Sequence, residues 1–120
     1  MDLYREQLLN HYRSPRNHGL QTGASAEASS FNPLCGDRVT VQLDIANDSI
    51  TAMRFDGQGC AISMATASLL SEHVVNRSVA EITALNGTAI QAMLGTTLSP
   101  VRLKCALLPL KTLQQALTTK

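Results

Sequence analysis

The strongest constraint on the fold lies in RVTVQLDIANDSITAMRFDGQG, between Arg38 and Gly59. Val39, Val41, Leu43 and Ile45 alternate with Thr40, Gln42 and Asp44, the period of two that a strand with one buried face requires. Ala-Asn-Asp-Ser then reads as a turn, and the chain returns with Thr51, Met53 and Phe55 on one side and Ile50, Ala52 and Arg54 on the other. An antiparallel hairpin is predicted here.

Helical signals flank that hairpin. The opening MDLYREQLLNHYRSPRNHG has Asp2 as an N-cap, Tyr4, Leu8 and Tyr12 at helical spacing with Leu9 beside them, and Ser14-Pro15 as a stop. From Gln21 to Ser30 the chain is small and polar, which fits either a mobile connector or a poor edge strand. After Cys60, AISMATASLLSEHVVN turns helical, with Ile62, Ala65, Thr66, Leu69 and Val74 available for an apolar stripe. Ser78 and Glu81 have capping-box spacing for a short helix, Thr88 begins another that Gly95 stops, and Ser99-Pro100 opens the last. In that last helix Leu103, Leu107, Leu110 and Leu117 share a face, and Cys105 lies roughly 200° around from Leu103 at about 100° per residue, away from the stripe. The order is helix, small antiparallel sheet, then several helices, an α+β arrangement with the helices gathered on one side of the sheet.

At 120 residues the chain reads as one domain, 1–120, with one modest core. Ten Lys and Arg against nine Asp and Glu give a formal charge of +1, which argues against nucleic acid or an anionic membrane as the main partner. No apolar run reaches the length of a membrane span and the N-terminus has no signal-peptide core, so a cytoplasmic location is expected. Met53, Met64 and Met93 read as core, and His11, His18 and His73 as surface or internally satisfied histidines.

Cys35, Cys60 and Cys105 are an odd number at wide spacing, the wrong arithmetic for a disulfide framework, so they are read as reduced thiols. Each sits where local structure changes type. In DGQGCAIS the glycines are expected to let the backbone turn sharply, and the orphan N–H groups of the following helix favour an anion such as the Cys60 thiolate. Asp37, two residues from Cys35 near a strand start, can project to the same side and offers an oxygen beside three sulfurs. Three thiolates and one carboxylate suit tetrahedral Zn²⁺, and equally a small iron–sulfur cluster with one weak corner. On these residues alone, buried filler for the thiols and a turn role for Asp37 stay open beside the ligand reading. Pro109 should leave the Cys105 carbonyl without its helical partner and bend the helix there.

The segments NPLCGD, GQGCAISMATAS and RLKCALLPL, in this order, together with the opening LYREQLLNHYRSPRNHG, resemble the U-type iron–sulfur cluster assembly proteins. That is the IscU/SufU family, related to the N-terminal domain of NifU, and the resemblance covers nearly all of the chain. Lys104 in RLKC stands where IscU scaffolds carry a histidine and looks like the SufU branch, while LSPVR only approximates the IscU chaperone motif. The ligand set is thus SufU-like on an IscU-like length. The resemblance implies an α+β fold of an N-terminal helix, a three-stranded antiparallel sheet and a helical layer on one face. It also implies Cys35, Asp37, Cys60 and Cys105 as the ligands of a transient [2Fe–2S] cluster or of iron, with Zn²⁺ at the same positions in the resting state of the SufU branch. A cysteine desulfurase of the SufS or IscS kind is implied as sulfur donor and apo iron–sulfur proteins as recipients. Cys35 or Cys105 is then the persulfide acceptor, Cys35 being the choice of the sulfur-carrier branch. The expected function is that of a scaffold and sulfur acceptor rather than a stand-alone enzyme. A zinc-dependent sulfurtransferase that never holds a cluster is the alternative, and Zn²⁺ serving only to fold the chain is the third reading.

Overall fold

In the computed structural model of the protein, residues 3–33, 36–95 and 97–118 are described, with side chains from residue 6 onward. The elements run α1 (Leu3–Arg13), β1 (Ala26–Asn32), β2 (Asp37–Ala46), β3 (Ser49–Gln58), α2 (Ala61–His73), α3 (Val79–Thr83), α4 (Gly87–Leu94) and α5 (Pro100–Thr118). The three strands form one antiparallel sheet in the order β1-β2-β3. The expected α+β layering is therefore what the chain adopts.

The predicted hairpin is β2 and β3, joined by Asn47 and Asp48 at φ 52° and 61°, both in the left-handed region that a two-residue primed turn demands. One detail of the predicted alternation is corrected. The register shifts between Asp44 and Ile45, so Ile50 is fully buried and Thr51 is exposed, although Met53 and Phe55 point inward as expected. The polar stretch from Gln21 to Ser30 resolves in its second half into the edge strand β1, which presents Ala26 and Ala28 to the core.

Val39, Val41 and Leu43 of β2, with Met53 and Phe55 of β3, form the inner face of the sheet, and α2 and α5 pack on it. Helix α2 is buried from Ser63 to Ser71, on every side rather than along one stripe. Its Ala and Ser residues suit a helix enclosed by α1, α5 and β3, because small side chains let all three approach. On α1, Leu8 packs against the core and His11 is buried, whereas Tyr12 is exposed. The expected Tyr12 contact is thus replaced by His11, whose Nδ1 lies 2.6 Å from Ser68 Oγ on α2. The expected N-cap Asp2 lies outside the described residues.

Helix α5 departs most from expectation. Its buried face is Cys105, Ala106, Leu108, Pro109, Leu110, Thr112, Leu113 and Ala116, while Leu103, Leu107 and Leu117 are half-buried flanks. Cys105 therefore points into the core side, not away from it. The helix lies against α2, β1 and β2 together, so the face it buries is broader than one leucine stripe and takes in Cys105, Ala106, Pro109, Thr112 and Ala116 beside Leu108, Leu110 and Leu113. No helix among the described residues is long and apolar enough to cross a membrane.

Candidate metal centre

Strand parity places Asp37. It is the first residue of β2 and shares the inward face with Val39, Val41 and Leu43, so its carboxylate enters the protein at the rim of the core and is only 1% exposed. A buried carboxylate needs partners. The Cys60 backbone N–H donates to Oδ1 at 3.0 Å and the Ser63 hydroxyl lies 2.6 Å from Oδ2.

The two glycines ahead of Cys60 serve a different purpose from the sharp turn expected of them. Neither has a left-handed φ. A Cβ on Gly57 would lie 2.1 Å from the Arg38 carbonyl oxygen, and one on Gly59 would lie 3.0 Å from both Cγ and Oδ1 of Asp37. Their lack of a side chain lets the end of β3 close over the start of β2.

Cys60 is the N-cap of α2, with extended backbone, and its sulfur accepts from the Ser63 N–H at 3.5 Å. A sulfur at the cap sits where unpaired helix N–H groups and the helix dipole favour negative charge. The thiol also lies 3.6 Å from Asp37 Oδ2 and 3.6 Å from Ser63 Oγ. Cys60 is exposed and Cys105 is 6% exposed. Both line a cleft of about 330 Å³ with Ala61, Ile62 and Arg102.

The missing donor predicted at Pro109 is made good from another helix. It offers no N–H to the Cys105 carbonyl, and the Ser63 hydroxyl reaches that carbonyl instead, at 2.9 Å.

One ligand atom each from Asp37, Cys60 and Cys105 lies within 4.8 Å of the others. Zinc bonds of about 2.0 Å to oxygen and 2.3 Å to sulfur at tetrahedral angles put ligand atoms about 3.5–3.8 Å apart, so side-chain rotations of less than an ångström or so close these three around one ion. The donor chemistry and spacing fit Zn²⁺ or an iron site. Cys35, the fourth expected donor, lies outside the described residues, in the 33–36 connection between β1 and β2. Lys104 is exposed beside Cys105, and Arg38 stands 5.7 Å over the Phe31 ring.

The histidines stay out of the site. His11 is paired with Ser68 and lies 3.6 Å from Glu72, and burial, then Arg16, holds its pKa below the ordinary value. His18 pairs with Asp56 at 3.1 Å, and burial, then Arg77, lowers the pKa of His73. Met53 and Met64 are buried and Met93 packs against the core. Sequence reasoning missed Ser63, which touches all three described donor residues; its signal was the third position after an N-cap, where a side chain on the first helical turn stays close to the cap.

A family model described as NifU-like N terminal domain matches residues 3–119. The chain is 31% identical to the "Zinc-dependent sulfurtransferase SufU" of Bacillus subtilis (strain 168), over 94% of this chain and 88% of that protein. It is also 31% identical to the "Iron-sulfur cluster assembly scaffold protein IscU" of Thermotoga maritima, over 96% of this chain and 92% of that one. Among solved structures, FiSufU of Fervidobacterium islandicum AW-1 superposes with a TM-score of 0.77 at 29% identity, covering 93% of this chain and 94% of that chain.

Proposed function

The chain belongs to the NifU-like N-terminal domain family, and from that premise we propose that it accepts sulfur from a cysteine desulfurase and takes part in building a transient [2Fe–2S] cluster for apo iron–sulfur proteins. The observation that carries this reading is the meeting of Asp37, Cys60 and Cys105, from β2, the cap of α2 and α5, within 4.8 Å at one rim of the core. Buried filler would not bring a carboxylate to two thiols. Cys35, Asp37, Cys60 and Cys105 are the proposed ligands, within one domain spanning 1–120. The compartment is the cytoplasm, where thiols remain reduced.

Sulfur transfer is thiol exchange. A thiolate of this chain attacks the outer sulfur of the desulfurase persulfide, a new S–S bond forms as the donor's breaks, and the desulfurase cysteine leaves as a thiolate. Cys35 is the proposed acceptor and Cys105 the second candidate, because a thiol that is 6% exposed gives a bulky partner little room to approach. Asp37 is the weakest donor of the set and the one that yields first to an incoming group.

A second reading is a zinc-dependent sulfurtransferase that holds no cluster, favoured by the likeness to the relative of that name and by the SufU-like Lys104 beside Cys105. Resident Zn²⁺ would then be held by the same residues and would keep its thiol ligands deprotonated. The test is anaerobic incubation with a desulfurase, cysteine and ferrous iron, followed by visible absorption and mass analysis of persulfides. Persulfide with cluster absorption supports the scaffold; persulfide with stoichiometric zinc and no absorption selects the sulfurtransferase. Neither signal would refute both.

A further inference from the structure

We propose that Ser63 is the positioning residue of the metal centre, a single buried hydroxyl that holds the Asp37 carboxylate in its ligating arrangement and fixes it relative to the two cysteine-bearing helices. This rests on the reading of Asp37, Cys60 and Cys105 as ligands. Ser63 is fully buried, and its Oγ lies 2.6 Å from Asp37 Oδ2, 2.9 Å from the Cys105 carbonyl oxygen and 3.6 Å from Cys60 Sγ. Its backbone N–H donates to Cys60 Sγ as well. One residue on the first turn of α2 thus bonds to the side chain from β2, the sulfur at its own cap and the backbone that carries the third donor on α5.

A hydroxyl has one proton to give and can accept more than one bond. Asp37 Oδ2 and the Cys105 carbonyl oxygen both lie within reach of that proton, so Ser63 divides it between them. The demand from Cys105 is written into the sequence, because Pro109 occupies the position whose N–H would otherwise satisfy that carbonyl. Ser63 is therefore both the substitute donor to a carbonyl inside α5 and a rest for the carboxylate, and these two roles separate by substitution. In Pro109→Ala the residue-109 N–H can serve the carbonyl, which leaves the Ser63 proton to Asp37.

The experiment measures Zn²⁺ affinity by competition with a chromophoric chelator, and Co²⁺ visible spectra, for the parent chain, Asp37→Ala, Ser63→Ala, Pro109→Ala and Ser63→Ala/Pro109→Ala. Far-UV circular dichroism of each metal-free protein reports folding. Supporting groups around metal ligands commonly account for about 10–100-fold in affinity, and that loss is expected for Ser63→Ala. The same loss must persist between Pro109→Ala and the double variant, with weaker Co²⁺ d–d bands as the tetrahedral arrangement opens. If Ser63→Ala does not fold, the Pro109→Ala pair, in which the carbonyl has a backbone donor, gives the answer. Equal Zn²⁺ affinity for Pro109→Ala and the double variant overturns the proposal and leaves Ser63 only a donor to the backbone of α5. A parent chain that binds no zinc, or that binds it no better than Asp37→Ala, overturns the ligand reading itself and the proposal with it.

Discussion

Gly59→Ala isolates the carboxylate geometry from the backbone. Gly59 is not in the left-handed region, so alanine is compatible with its φ and, by narrowing the unfolded ensemble, contributes about 0.4–1 kcal/mol of stability on that account alone. The new Cβ would sit 3.0 Å from Asp37 Cγ and Oδ1, whereas comfortable carbon contacts begin at about 3.5 Å. The carboxylate must then retreat by about 0.5 Å or more, and a move of that size takes its 3.0 Å bond from the Cys60 N–H to about 3.5 Å, the limit of useful hydrogen bonding. Crowding of this kind costs about 1–3 kcal/mol, so the net change in metal-free stability is about 0–2.5 kcal/mol, a loss the fold tolerates. The larger effect falls on the metal. Zinc affinity, read by chelator competition, should drop about 10–100-fold, equivalent to about 1.4–2.8 kcal/mol. A folded Gly59→Ala protein that keeps the parent affinity within about threefold would refute the claim that a rigidly placed Asp37 carboxylate belongs to the site.

Gly57→Ala places a Cβ 2.1 Å from the Arg38 carbonyl oxygen, a backbone atom held in the sheet, and should cost about 3 kcal/mol or more in chemical denaturation; a loss below about 1 kcal/mol would show that the β2–β3 ladder opens easily there. Burial holds the pKa values of His11 and His73 below 6.5 in the folded protein, so the unfolded chain binds protons first. Stability is then complete above about pH 6.5 and falls as pH drops toward the folded values, and His11→Gln/His73→Gln should flatten denaturation midpoints between about pH 7 and pH 5.5. Arg54 pairs with Asp44 through both carboxylate oxygens, at 2.9 and 3.0 Å, and lowers the Asp44 pKa. Because Asp44 is partly open to solvent, Arg54→Lys should cost no more than about 1 kcal/mol, measured by thermal unfolding at low and high salt. In the metal-free folded protein iodoacetamide should modify exposed Cys60 about tenfold faster than Cys105, and equal rates by peptide mass mapping would contradict the burial of Cys105.

The elements legible in the sequence were those whose signals are local. Alternation at Val39, Val41 and Leu43, the Asn47-Asp48 turn, the Ser78 and Ser99 caps and the Gly95 stop all act within a few residues, and each lies where it was predicted. The errors came from tertiary decisions. Nothing in the strand pattern announces a register shift at Asp44 and Ile45, which turns Ile50 inward and Thr51 outward. Leucine spacing on α5 marked one stripe, but a helix packed against α2 and two strands buries a broader face than that stripe, and Cys105 falls on it with Ala106, Leu108, Pro109 and Leu113.

The candidate metal centre was legible in its described donors, Asp37, Cys60 and Cys105, and illegible in its supports. Asp37 could be placed because strand parity and burial are both local consequences of its position before Val39, and Cys60 because a cap precedes any helix. Ser63 is marked only as a neighbour of its own cap, and Gly59 is not marked at all, because their decisive contacts are made by folding: the hydroxyl on a carbonyl 42 residues away, the missing Cβ on a carboxylate from β2. Pro109 links the two levels. Its missing N–H is a certainty of covalent structure, the loss of the usual helical donor to the carbonyl four residues earlier follows without any knowledge of the fold, and burial of that residue then favours a donor from elsewhere. The donor that does so is the one already holding Asp37, so the demand of a broken helix and the demand of a buried carboxylate converge on one oxygen atom.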